Sequence, residues 1–75
     1  MNLRKLNKIL LKYSRITLTI YKDSHNDEII FANMSMLVIK HKAWPEFESY
    51  FDYKVKYIYA NAYGTLVIVL EDIEK

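Results

Sequence analysis

Ser24, His25 and Asp27 are the side-chain types of a hydrolytic relay, and all three lie in the run Lys22-Asp23-Ser24-His25-Asn26-Asp27. A serine nucleophile needs an imidazole to take its proton and a carboxylate to orient that imidazole. Three neighbours in one turn cannot adopt that mutual geometry, so the run reads as a polar hairpin loop. His25 and His41 are the only histidines, and neither belongs to a recognised metal-ligand spacing. The chain has no cysteine, hence no thiol nucleophile, disulfide or cysteine-held metal. Its single glycine, Gly64, cannot build a glycine-rich phosphate loop. No catalytic constellation is present, and the expectation is a non-enzyme without cofactor or metal.

The chemistry that remains is recognition. Six of the 11 basic residues and none of the 9 acidic ones fall in residues 1–22, so the two parts of the chain carry +6 and −4. Arg4, Lys5, Lys8 and Lys12 on one helix could track phosphates, and Lys54-Val55-Lys56-Tyr57-Ile58-Tyr59 interleaves cations with base-stacking rings. Against nucleic acid stand a net charge of only +2 and an alternation that turns Tyr57 and Tyr59 into the core. Seven tyrosines and one tryptophan also suit protein recognition, since such rings offer contact area at little entropic cost. Tyr50, Tyr53 and Tyr63 are expected at the surface, with Glu46, Glu48 and Asp52 nearby to meet a basic partner.

These residues must be positioned by few elements. Seventy-five residues, 52% hydrophobic, suffice for a single domain and not for two with a cleft between them. Ile, Lys, Asn and Tyr supply 30 of the 75 residues, the bias of an AT-rich genome, which accounts in part for the many lysines and tyrosines. The longest apolar run, Leu66 to Leu70, is far too short to span a bilayer, and the scattered cations of Met1 to Leu11 argue against a secretory leader.

Leu3, Leu6, Ile9, Leu10 and Tyr13 recur at steps of three and four, predicting a helix over Asn2–Tyr13 capped by Asn2. Ile16, Leu18 and Ile20 alternate with Thr17, Thr19 and Tyr21 as a half-buried strand, and Glu28 to Ala32 returns as its hairpin partner. The run Met36-Leu37-Val38-Ile39 fits strand or helix, and a short helix or irregular excursion is the preferred reading of Met34–Lys42. Trp44 is expected to be extended before Pro45, which opens a short helix to Phe51. Tyr53–Ala60 and Thr65–Glu71 read as strands around a four-residue turn, with Gly64 at positive φ. The fold class is therefore α+β: an N-terminal helix on a four-stranded, largely antiparallel sheet, with a short second helix before the C-terminal hairpin.

With Ala60 paired to Thr65, Tyr59 opposes Leu66, Tyr57 opposes Ile68 and Val55 opposes Leu70 on the helix-covered face. The other face then carries Ile58 opposite Val67 and Lys56 opposite Val69, with Lys54 beside them. An apolar centre with a charged border is the anatomy of a contact patch, for a partner or a second copy of the chain. The competing expectation is that Met34–Phe51 folds over this face and buries it.

The basic opening helix, the strands around Ile20-Tyr21-Lys22-Asp23 and Ile29-Ile30-Phe31, and the closing runs Tyr53 to Tyr59 and Gly64 to Leu70 resemble small orphan proteins of phages and mobile elements of low-GC Gram-positive bacteria. That class includes inhibitors of CRISPR effector nucleases. The resemblance implies a non-enzymatic inhibitor of a host protein, an anti-CRISPR-type blocker of a defence nuclease, acting in the cytoplasm of an infected or lysogenic host. A strongly acidic, nucleic-acid-mimicking surface is missing from this chain.

Overall fold

The computed structural model describes residues 1–10, 15–22 and 27–72. Helix α1 (Leu3–Leu10) forms where the apolar stripe predicts it, with Leu3, Leu6 and Leu10 fully buried. The Asn2 side chain caps it, Oδ1 accepting the Lys5 N–H at 3.1 Å. Ile9, expected on the stripe, is 45% exposed, because the buried line runs through Leu3, Leu6 and Leu10 and leaves Ile9 on its flank. The predicted continuation to Tyr13 lies outside the described residues.

Strands β1 (Arg15–Tyr21), β2 (Asp27–Ser35), β3 (Val55–Ala60) and β4 (Leu66–Glu71) form one sheet in the order β2-β1-β4-β3. The two sequence-adjacent pairs are antiparallel hairpins, while the central pair, β1 and β4, is parallel. The sheet is thus mixed and mostly antiparallel. Its parallel centre follows from connectivity, since the chain leaves one edge at β2 and re-enters at the other edge as β3.

That crossover is helical. Ser35 ends β2 and caps α2 (Met36–Lys42), its hydroxyl accepting the Leu37 N–H at 3.2 Å. The ambiguous apolar run is therefore a helix that buries Met36 and Ile39 and exposes Leu37 and Val38. Helix α3 (Trp44–Glu48) starts one residue earlier than Pro45 led us to expect and ends before Phe51. Trp44 is helical rather than extended, because the Ala43 carbonyl accepts the Phe47 N–H at 3.0 Å and Pro45 sits in the first turn, where its missing N–H costs nothing.

Phe47 packs edge-on against Phe31, Trp44 and Phe51, with centroids 5.4–6.2 Å apart. These rings join Leu3, Leu6, Leu10, Met36 and Ile39 over Ile16, Leu18, Ile20, Leu66, Ile68 and Leu70. All three helices therefore supply one core on one face of the sheet. The segment Met34–Phe51 belongs to that core and does not cover the opposite face, so the burial of that face by this segment is ruled out.

Candidate functional site

What the opposite face presents is decided by the β3–β4 hairpin. Asn61 opens its loop, and its Oδ1 accepts the N–H groups of Tyr63 at 2.9 Å and Thr65 at 3.1 Å. The Asn61 N–H in turn donates to the Thr65 carbonyl at 3.0 Å, so Thr65 closes the loop and pairing begins at Ala60 with Leu66. Gly64 takes φ +80, as anticipated. The expected pairing of Ala60 with Thr65 is corrected by one residue, and a one-residue shift turns every side chain to the other face.

Tyr57 now opposes Val69 and Tyr59 opposes Val67, both away from the helices, whereas Ile58 opposes Ile68 on the helix side. The placement of Tyr57 and Tyr59 in the core, and of Ile58 on the outer face, is thereby overturned. The signal was in the sequence: an asparagine at the first loop position can take two loop N–H groups and lengthen the turn. A β-bulge at Lys56 restores Val55 opposite Leu70, where it packs against the core as expected.

By register the outer face holds Thr17 and Thr19 of β1, Val67 and Val69 of β4, Tyr57 and Tyr59 of β3, and Ile29 of β2 opposite Thr19. Val67 and Val69 stand outside the cluster that the helix side chains form among the described residues, yet they are only 7% and 2% exposed. The flanks themselves are open: Tyr57, Tyr59 and Ile29 are about half exposed or more. The two rings stack, centroids 6.2 Å apart and planes 24° from parallel. Between the flanks, the Thr19 hydroxyl is buried with no hydrogen-bond partner among the described residues.

Each end of this face is polar. At one, the Lys56 ammonium lies 4.7 Å from the Tyr21 ring centroid, and Tyr21, Lys56, Glu71 and Asp72 line a shallow concavity of about 280 Å³. Beside it Lys22 bridges Asp72 at 3.0 Å and Glu28 at 3.5 Å, chiefly the hydrogen bond to Asp72 raising its pKa above the usual lysine value. At the other end the Thr65 hydroxyl donates to Asn33 Oδ1, and the Asn33 N–H donates to Thr17 Oγ1.

The remaining candidates are scattered. Tyr50 and Tyr53, expected at the surface, are half-buried against the core and packed edge-on against each other at 5.1 Å, and burial pushes the Tyr50 phenol pKa up. Their aromatic area is worth more against the core than in water. Tyr63 is 91% exposed in the hairpin loop. Lys54 is exposed; its backbone bridges Asn2, and its carbonyl accepts the Glu71 N–H at 2.8 Å. Arg4 pairs with Asp52 at 3.0 Å and lies over the Phe51 ring, while Lys5 and Lys8 are exposed on the side of α1 away from the sheet. The basic helix and the tyrosine face therefore lie on opposite sides of the molecule.

Lys12, Ser24 and His25 lie outside the described residues; Asp27 and His41 are exposed at element ends. Among the described residues no group of His or acidic side chains could hold a metal ion, and no helix is long and apolar enough to cross a membrane. No family model, curated protein or solved structure matches this chain.

Proposed function

We propose that this chain is a non-enzymatic binding protein that acts by occupying a surface of a larger protein through its outer sheet face. The observation that carries the reading is the sheet face left without a helix: an apolar centre of Val67, Val69 and Thr19 between the half-exposed flanks Tyr57, Tyr59 and Ile29. Exposed aromatic side chains beside apolar area, with polar groups at the border, are how compact interfaces concentrate binding energy. A standard interface takes ~800 Å² from each partner, and the chain exposes 5098 Å² in all. The resemblance to small proteins of phages and mobile elements supplies the target class, a host defence nuclease of the CRISPR type, blocked by occupancy.

The test is cleavage of a DNA substrate by purified effector nucleases with and without the chain, wild type and Ile29→Lys. Ile29 is 61% exposed on this face, so the substitution should keep the folded circular dichroism spectrum, and it should abolish inhibition by setting a charge in a desolvated contact. Undiminished inhibition by a folded Ile29→Lys protein removes the outer face from the mechanism.

A second reading gains from the corrected register. Exposed Tyr57 and Tyr59, with Lys56 over Tyr21, form a platform on which single-stranded nucleic acid bases could stack. Weighing against it, Glu71 and Asp72 share that end of the face, and Arg4, Lys5 and Lys8 stand on the far side of the sheet. Steep loss of oligonucleotide affinity with added salt, reduced by Tyr59→Ala, is what this reading requires.

A further inference from the structure

The two edges of the sheet are built differently. Edge β2 opens on the charged Asp27 and Glu28, breaks register twice, and holds Asn33 at φ 47, devices that discourage another strand from pairing with it. Edge β3 breaks register once, at Lys56, and then runs regularly through Tyr57-Ile58-Tyr59-Ala60 without charge, proline or bulge. Its large residues Tyr57, Ile58 and Tyr59 are 46%, 42% and 51% exposed. The beginning of that edge is already occupied: the Val55 N–H donates to the Met1 carbonyl at 2.9 Å, and Lys54 bridges Asn2. Among the described residues nothing pairs with the outer side of the regular stretch beyond.

We propose that this open stretch of β3 pairs with the same stretch of a second copy of the chain, antiparallel about a two-fold axis at Ile58, joining two sheets into one of eight strands. The backbone phase allows it. The Asn61 N–H donates to the Thr65 carbonyl on the β4 side, so alternation turns the N–H and C=O of Tyr59 and Tyr57 towards β4 as well. Ile58 and Ala60 then direct theirs outwards, and Ile58 is free to exchange both bonds with Ile58 of the second copy.

The side-chain pattern points to a second copy rather than to an unrelated strand. Tyr57-Ile58-Tyr59 reads the same in both directions, so antiparallel pairing sets Ile58 against itself on the helix side and Tyr57 against Tyr59 on the outer side. Aromatic cross-strand pairs of this kind favour strand association. Lys56 falls opposite Ala60 of the second copy, so no like charges face one another across the seam. A self-complementary strip is what a closed two-fold contact demands and what a contact with an unlike partner does not. The proposal concerns the edge and stands independently of the partner reading of the outer face.

The experiment uses purified protein alone. Sedimentation of the wild-type chain across concentration should show a monomer–dimer equilibrium, and Ile58→Lys, which sets two ammonium groups opposite each other, should weaken it at least ~10-fold while keeping the folded circular dichroism spectrum. Tyr63→Lys, on the exposed loop, should leave it unchanged. Because the chain has no cysteine, an Ile58→Cys variant reports the register directly: paired Cα atoms would sit ~5.5 Å apart, and a short bis-maleimide should join two copies far faster than it joins a Tyr63→Cys variant. This cross-link decides the matter even if Ile58→Lys fails to fold. A wild-type chain that stays monomeric up to ~1 mM overturns the proposal and leaves the edge to an extended segment of another protein. Equal cross-linking of the two cysteine variants, or a folded Ile58→Lys dimer of wild-type strength, overturns it too.

Discussion

The side-chain oxygen of Asn33 accepts the Thr65 hydroxyl at 2.8 Å, tying β2 on one side of β1 to the hairpin loop entering β4 on the other. Asn33 makes this bond from a left-handed backbone, φ 47, and its own N–H is held by Thr17 Oγ1 at 2.9 Å. Thr65 is 2% exposed, so its hydroxyl depends on this acceptor.

Two substitutions separate backbone from side chain at this position. Asn33→Gly keeps the conformation and loses the acceptor, for ~1 kcal/mol. Asn33→Ala loses the acceptor and adds the left-handed penalty of ~1 kcal/mol or more. Urea unfolding should therefore rank wild type above Asn33→Gly and Asn33→Ala last; an alanine variant as stable as the glycine one contradicts the account.

Gly64 isolates the backbone effect, since nothing lies within 4 Å of a Cβ built there and φ is +80. Gly64→Ala should cost ~1 kcal/mol without any clash, and Gly64→Asn less, because asparagine tolerates the left-handed region. Equal thermal midpoints for wild type and Gly64→Ala would show that the loop relaxes out of this conformation.

Ile68 is fully buried at the centre of the sheet on the helix side, whereas Ile29 is 61% exposed on the outer side. Ile68→Ala should cost ~2–5 kcal/mol, enough to leave a domain of this size largely unfolded. Ile29→Ala should change stability by no more than ~0.5 kcal/mol. A near-native melt for Ile68→Ala contradicts the core assignment.

Alkaline stability follows from two groups. The Lys22 pKa is raised chiefly by its hydrogen bond to Asp72, and the Tyr50 pKa chiefly by burial, with Tyr53 and Glu46 adding to it. A group whose pKa is higher folded than unfolded stabilises fully below its unfolded pKa, and that contribution is lost as pH rises through the folded one. Both contributions are thus intact at neutral pH and decline above about pH 10. The urea midpoint should fall in that range, and Tyr50→Phe should flatten the fall; a midpoint rising with pH there contradicts the signs.

The elements were legible in the sequence because local patterns govern them. Steps of three and four placed Leu3, Leu6 and Leu10 on a helix, and alternation placed Ile16, Leu18 and Ile20 on a strand, wherever each was to pack. Gly64 marked its own positive φ, and Leu66, Ile68 and Leu70 announced a core strand. The surface was not legible to the same degree. Which face Tyr57, Ile58 and Tyr59 take depends on a single residue of register, settled by Asn61 Oδ1 accepting the Thr65 N–H, and two-residue periodicity reads equally well in either register. The parallel pairing of β1 with β4, and the packing of Met36, Ile39, Phe47 and Phe51 on the same side as α1, join residues distant in sequence. Only the assembled sheet chooses which of its faces those helices cover, because apolar area gains the same free energy against either, and connectivity and register decide between them.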